Sequence, residues 1–179
     1  MGKAQGREKL TLAIYPTSRG FGFVIFEGPH RLIDWGVKEV RGDKNRRSLI
    51  RAKELIAWYK PDVLVLEDAL SASSRGSSRM KDLHRELEQL AVSTKTVVHR
   101  YTRPEIKAIF ALRGSSTRYE IAQAVSEEVP ELGPWFPPPR QIWKSEDPRL
   151  SIFDAASLAI THFEIMRVPS QKQVGSWRQ

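Results

Sequence analysis

Residues 61–67 read PDVLVLE, a run of four apolar residues that follows a Pro-Asp pair and ends in Glu67. A short unbroken apolar run of this kind is typical of a strand that is buried on both faces. Such a strand requires a sheet with helices above and below it. The run therefore predicts an α/β fold.

Three more strands are predicted on the N-terminal side of this run. Residues 10–15 alternate between apolar and other side chains, residues 21–26 are rich in β-formers, and residues 32–37 resume the strand character after the turn at Gly28-Pro29. The connections between the three segments are short, and short connections join antiparallel neighbours. The segments therefore predict an antiparallel meander.

Helical spacing surrounds and follows the buried strand. Apolar residues recur at helical spacing over 49–59 and 80–91, and residues 96–101 have the character of a fifth strand. Two capping-box pairs, Thr102 with Glu105 and Thr117 with Glu120, predict the starts of two helices. A broad apolar stripe over 151–167 predicts a last helix. Five prolines among ten residues predict an extended connection over 130–139. The expected architecture is a five-stranded mixed sheet, three antiparallel strands then two parallel ones, with helices on both faces.

Composition narrows the class of protein. The 179 residues include 29 Lys and Arg against 21 Asp and Glu, a net charge of +8 that favours polyanionic partners. The chain has no cysteine, which excludes disulfide frameworks, thiolate zinc sites and thiol chemistry. We expect one domain over 10–168 between flexible segments at 1–9 and 169–179. We also expect a cytoplasmic protein, because the sequence has no apolar run of the roughly 20 residues that a membrane span needs.

Four segments, in this order, carry a resemblance to a known family. They are Ile14-Tyr15-Pro16-Thr17-Ser18-Arg19-Gly20-Phe21-Gly22, the 61–67 run, Gly114 with Ser116, Arg118 and Ile121, and Asp154-Ala155-Ala156-Ser157-Leu158-Ala159-Ile160-Thr161-His162. Together they resemble the RuvC family of Holliday-junction resolvases, over about residues 10–163, with arginine at 118 in place of the family's lysine. The resemblance implies a ribonuclease-H-like fold.

The same resemblance implies an activity and a set of partners. Family members are Mg²⁺-dependent endonucleases that cleave branched DNA in recombination and repair, with Mn²⁺ as a substitute ion, and the likeness suggests a homodimer. A two-ion mechanism needs several carboxylate oxygens from separate elements. Glu67 and Asp154 match two of the family's ligands, and Asp68 is the nearest further acid. The resemblance makes Glu67, Asp154, Arg118 and Tyr15 the candidate catalytic residues.

Two positions depart from the family pattern. Tyr15 stands where the family has its first-strand aspartate, and Ser151 stands where it often has a second acid on the last helix. A phenol is neutral at pH 7, so the site loses a negative charge and a bridging oxygen. We therefore expect at best one weak Mg²⁺ site and impaired or unconventional cleavage. Two alternatives stay open: an active resolvase that recruits Asp68 or a substrate phosphate, and an inactive module that docks on RNA or a protein assembly.

Each candidate acid also has a purely structural interpretation. Glu67 has the character of a polar residue at a strand exit, and an ion pair with Arg118 would satisfy Asp154 without any metal. Tyr15 is interpreted as an aromatic side chain that fills the vacated ligand position. Trp135 and Trp143 are interpreted first as packing residues, with docking of a partner as the alternative.

Basic residues predict the nucleic-acid surface. Residues 71–81 form a Ser- and Arg-rich loop after Glu67, and Arg118 falls in a first helical turn, where backbone N–H groups and a guanidinium can hold a phosphate together. The predicted DNA-binding residues are Arg19, Arg75, Arg79, Lys81, Arg103, Lys107, Arg113 and Arg118.

Overall fold

The computed structural model describes residues 6–72, 74 and 76–167. Its sheet contains the strands β1 (Leu10–Thr17), β2 (Gly20–Glu27), β3 (Arg31–Glu39), β4 (Val63–Glu67) and β5 (Val97–Tyr101) in the spatial order β3-β2-β1-β4-β5. The first three strands are antiparallel, and β4 and β5 run parallel to β1. The predicted mixed sheet is confirmed. Of the segments expected to be flexible, 1–9 and 169–179, the structure describes only residues 6–9, which form neither helix nor strand, so the expectation stays a prediction.

The helices begin and end close to the predicted signals. They are α1 (Lys44–Tyr59), α2 (Ser78–Ser93), α3 (Arg103–Ala111), α4 (Arg118–Glu128) and α5 (Leu150–Arg167). Both predicted capping boxes form, Thr102 with Glu105 and Thr117 with Glu120. In each box the threonine hydroxyl accepts from the backbone N–H of the glutamate, and the glutamate carboxylate accepts from the backbone N–H of the threonine.

The proline-rich connection differs from its prediction. Its first half, Pro130–Trp135, is a 3-10 helix, and only the residues that follow lack regular structure. Proline is tolerated in a first helical turn because its missing N–H would have no partner there. Leu132 is fully buried in the core, and this burial favours the turn over an extended chain.

Side-chain alternation divides the core into two layers. Odd-numbered residues of β1 and β4, such as Ala13 and Val65, face a core built with α3, α4 and α5. Even-numbered residues, such as Leu12 and Leu64, face α1 and α2. The strands are therefore buried on both faces, as the 61–67 run predicts. Within the described ranges, no helix has the length and apolar character to span a membrane.

Two buried histidines make stability depend on pH. His84 of α2 and His162 of α5 are each 6% exposed, and burial lowers the pKa of each from 6.5 to about 4. Between these values the unfolded chain binds more protons than the folded chain. The stabilisation is therefore complete above pH 6.5 and is lost as the pH falls to 4.

We expect the free energy of unfolding to fall by roughly 3 kcal/mol per histidine over this interval, at about 1.4 kcal/mol per pKa unit. Urea unfolding at stepped pH measures the slope. The His84→Gln and His162→Gln variants should each flatten it, whatever their absolute stability. Equal slopes in the variants and the wild type would contradict the assignment.

Candidate functional site

The candidate site lies at the C-terminal ends of the two central strands. β1 and β4 pair in parallel with Leu12 opposite Leu64 and Ala13 opposite Val65. The same register carried two residues further sets Tyr15 beside Glu67. Both side chains then point to the face covered by α3, α4 and α5. Parallel pairing thus brings the two sequence-predicted positions together.

Helix α5 delivers Asp154 to the same place because it approaches the sheet very closely. Tyr15 pairs across the sheet with Gly22, and a Cβ atom at Gly22 would overlap the backbone oxygen and hydroxyl of Ser151. Only glycine allows this approach. The Ser151 hydroxyl donates to the Pro148 carbonyl at 2.7 Å, within the chain entering α5.

Arg103, the first residue of α3, joins Tyr15 to Glu67. Its Nη2 donates to the Tyr15 hydroxyl at 2.9 Å and to Glu67 Oε2 at 3.1 Å, and its Nε approaches Glu67 Oε1 at 3.4 Å. One guanidinium therefore occupies both oxygens of the first acid and the phenol that lies next to it.

Arg118, the first residue of α4, holds the second acid in the same way. Its Nε donates to Asp154 Oδ1 at 2.9 Å and to Oδ2 at 3.2 Å, and its Nη2 donates to Oδ2 as well. Its Nη1 forms an ion pair with Glu146, and its guanidinium lies 5.7 Å from the centre of the Tyr15 ring. The ion pair between Arg118 and Asp154 that the sequence left as an alternative is present.

These groups line one cavity of about 110 Å³. Tyr15, Glu67, Arg103, Arg118 and Asp154 all contribute to its wall, with Lys107 at its edge. We call the first five residues the Arg-acid cluster. A larger cavity of about 630 Å³ continues from it past Tyr15, Glu67 and Arg103 to His84. The acids at 67 and 154, far apart in sequence, are therefore neighbours between cationic groups.

Electrostatics fixes the protonation of Tyr15. Burial and the nearby charges of Asp154 and Glu67 raise the pKa of Tyr15 to about 12, so its hydroxyl stays protonated at neutral pH. Burial raises the pKa of Glu67 and Asp154, and each bound arginine opposes that shift. A bidentate guanidinium is the partner that holds a buried carboxylate in its charged form.

The donor set does not fit a two-ion centre. Within 6–72, 74 and 76–167, no group of three or more His, Cys, Asp or Glu side chains is placed to hold a metal ion. Both acids already bind guanidinium groups, and the Tyr15 oxygen is neutral and hydrogen-bonded. A divalent cation would have to displace two arginines whose positive charges repel it.

Asp68, the third predicted metal ligand, lies apart from the Arg-acid cluster. Strand β4 ends at Glu67, and the Asp68 N–H donates to the Tyr101 carbonyl. Its carboxylate accepts from the Leu70 N–H at 3.1 Å, and its charge acts on the pKa of His84. The structure therefore does not bring Asp68 to the cavity that Asp154 lines.

The predicted DNA-binding residues lie in different surroundings. Arg103 and Arg118 belong to the Arg-acid cluster, Lys107 is exposed at its edge, and Arg19 is exposed beside Arg118 in an adjoining cavity of about 160 Å³. Half-buried Lys81 lies near the start of α2. Two others serve the fold: Arg79 donates to Asn45 and to the Thr17 carbonyl, and Arg113 pairs with Glu128 and Glu164. Arg75 lies outside the described residues.

Glu120 occupies two backbone donors just before α4, where the sequence predicts a phosphate contact. The N–H groups of Ser116 and Thr117 both donate to Glu120 Oε2, at 2.8 and 2.9 Å, and these bonds lower the pKa of Glu120 to about 2. These backbone donors are therefore occupied.

Sequence reasoning missed Glu146 and misjudged Trp143. Glu146 lies in the irregular segment before α5, where no periodicity indicates that it meets Arg118. Trp143 is 80% exposed, so the packing interpretation is wrong for it. Trp135 does pack, edge-on against Trp35 with ring centres 6.4 Å apart.

Comparisons with known proteins come from structures. No protein-family model matches the chain, and neither does any curated protein. RuvC from Thermus thermophilus matches at a TM-score of 0.64 and 18% identity over 88% of this chain and 95% of that one. T. thermophilus RuvC in complex with Holliday junction substrate matches at a TM-score of 0.65 and 16% identity, over 89% of this chain and 96% of that one. The yeast mitochondrial Holliday junction resolvase matches at a TM-score of 0.62 and 14% identity, over 88% of this chain and 78% of that one. At these identities the likeness establishes the fold.

Proposed function

We propose that this protein binds branched DNA and does not cleave it by a two-ion mechanism. The proposal starts from the ribonuclease-H-like fold that the chain shares with the RuvC-type Holliday junction resolvases. The observation that carries the proposal is the pairing of both cleft carboxylates, Glu67 and Asp154, with arginines. A two-ion nuclease needs such carboxylate oxygens free for metal ions. Here Arg103 and Arg118 occupy them.

The same two arginines support binding of a phosphodiester. Guanidinium groups match the geometry of phosphate and carboxylate oxygens alike. A backbone phosphate entering the cleft can therefore exchange for one carboxylate oxygen at Arg103 or Arg118. Lys107 and Arg19 lie at the edges and add charge, and the net charge of +8 favours a polyanion. Phosphate contacts of this kind position a duplex without reading its sequence.

We propose a homodimer as the working unit, because a four-way junction is two-fold symmetric and a symmetric pair of clefts would meet both equivalent strands. Sedimentation of the free protein and of its junction complex tests the stoichiometry. Two chains per junction are expected, and a single chain per junction would contradict the dimer.

Incubation with a labelled mobile four-way junction and Mg²⁺ or Mn²⁺ tests binding and cleavage together. We expect a retarded junction complex, weaker binding to linear duplex of the same length, and uncut strands. The matched control is Glu67→Gln, which removes the charge that Arg103 contacts while keeping the side-chain volume. Strand cleavage that disappears in Glu67→Gln would establish an active resolvase instead. Equal affinity for junction and duplex would contradict branch recognition.

Restoring an acid at position 15 tests why cleavage is impaired. We expect Tyr15→Asp alone to produce neither cleavage nor measurable Mg²⁺ binding, because Arg103 would pair with the new carboxylate as it now pairs with Glu67. Calorimetric titration with Mg²⁺ and the junction assay measure the two outcomes. The matched control is Tyr15→Phe, which removes the hydroxyl without adding charge. Cleavage by Tyr15→Asp alone would mean that the arginines yield to the metal.

A further inference from the structure

A hydrophobic turn projects from the segment between the 3-10 helix and α5. The Lys144 N–H donates to the Gln141 carbonyl at 3.0 Å, and Arg140 Nε donates to the Lys144 carbonyl at 3.1 Å. At the tip Ile142 is 92% exposed and Trp143 is 80% exposed. Two adjacent large apolar side chains held outward in a hydrogen-bonded turn are disfavoured in water unless a partner covers them. We call residues 140–144 the Trp turn.

The Trp turn lies next to the Arg-acid cluster. Ser145 and Glu146, which follow it directly, line the cavity of about 160 Å³ together with Arg19 and Arg118. Glu146 is ion-paired with Arg118. Three residues of chain span at most about 11 Å, so the Trp143 backbone lies within that distance of the Glu146 backbone. A DNA strand on the cluster would therefore pass within reach of the indole.

The charges around the tip favour a nucleic acid. Arg140 and Lys144 flank the two apolar residues, and neither forms an ion pair within the part of the chain that the structure describes. The acids that follow are ion-paired, Glu146 with Arg118, which also pairs with Asp154, and Asp147 with Arg149. The turn therefore presents an aromatic ring between two cations that carry no ion pair among the described residues, although Arg140 Nε is hydrogen-bonded within the turn. Proteins that bind unpaired strands combine these same elements, a ring that stacks on a base and cations that contact the backbone.

We propose that the Trp turn is a wedge, in which Trp143 stacks on the bases exposed at a DNA branch point while Arg140 and Lys144 contact the adjoining phosphates. This inference rests on the proposed function and adds the element that would distinguish a branch from a continuous duplex. A continuous duplex keeps its bases stacked and offers the indole no free face. Insertion there must first unstack a base step, whereas a branch point has already exposed one.

The test uses the full chain and a four-way junction that carries 2-aminopurine at the branch point. We expect wild-type protein to change the 2-aminopurine fluorescence, and Trp143→Ala to lose most of that change. Junction affinity should fall about 10-fold in Trp143→Ala, in line with the loss of one stacked base. Affinity for linear duplex should stay the same, and Trp143→Phe should restore most of the signal.

Trp58 of α1 provides the matched control, because it is 82% exposed and lies on a different element. Trp58→Ala should bind and perturb the junction as the wild type does. Wild-type behaviour of Trp143→Ala would overturn the wedge alone, since junction binding would persist. Dissociation of the dimer by Trp143→Ala, with junction affinity unchanged, would make the turn a protein interface and also overturn the wedge. Absence of junction binding by the wild type would overturn both the wedge and the proposed function.

Discussion

Replacing Arg118 with methionine is expected to lower the free energy of unfolding by about 3 kcal/mol, the order found when one member of a buried ion pair is removed. The Asp154 side chain is 10% exposed, and both of its oxygens accept from Arg118. Without that guanidinium, the carboxylate either stays charged in a poorly solvated place or takes up a proton. Urea unfolding at pH 7 measures the loss.

The double variant Arg118→Met with Asp154→Leu is the matched control for this loss. Replacing both members of a buried pair by apolar groups is often neutral, so most of the stability should return. In the single variant we expect burial to keep the pKa of Asp154 in the folded protein above its ordinary value, because Arg118 no longer opposes that shift. The loss of stability relative to the wild type should therefore shrink as the pH falls below this folded-state pKa. A single variant as stable as the wild type would contradict the pairing.

Junction affinity should fall steeply with salt. Each duplex phosphate neutralised by the protein contributes about 0.9 to the slope of log affinity against log salt. With about five phosphate contacts, a four-fold rise in salt should weaken binding roughly 500-fold. Fluorescence anisotropy with a labelled junction at 50 and 200 mM salt measures the change.

Matched variants assign the slope to the cleft. Lys107→Gln and Arg19→Gln, at the edges of the Arg-acid cluster, should each lower the slope by about one. Arg113→Gln, whose guanidinium is already paired with Glu128 and Glu164, should leave the slope unchanged. A flat salt dependence, or an equal effect of all three variants, would contradict phosphate binding at the cleft.

The predictable parts of the molecule depend on local chemistry. Thr102 with Glu105 and Thr117 with Glu120 form their capping boxes because each box is satisfied within four residues. Alternation and the apolar 61–67 run predict the strands because burial of the sheet imposes those patterns. The 3-10 turn at Pro130–Trp135 escapes prediction because it depends on burying Leu132 against distant elements.

The candidate site also has parts that the sequence predicts and parts that it does not. Sequence resemblance predicts that Glu67 and Asp154 meet, and parallel pairing and the approach of α5 bring them together. The position of Arg103 in the predicted DNA-binding set does not reveal that it would turn inward to Tyr15 and Glu67. Side-chain direction at a helix start depends on neighbours from other strands, and no local spacing encodes it. The Glu146 contact escapes prediction for the same reason.

The ion pair between Asp154 and Arg118 has a consequence for the evolution of this sequence. Removing Arg118, the first step toward a metal site, leaves Asp154 as a buried anion without that partner. Each single substitution toward an ion-binding cleft therefore passes through a less stable protein, and Arg103 adds a second such step at Glu67. The paired guanidinium groups therefore favour a cleft that keeps its arginines, because each substitution that would free a carboxylate for a metal ion first lowers the stability of the fold.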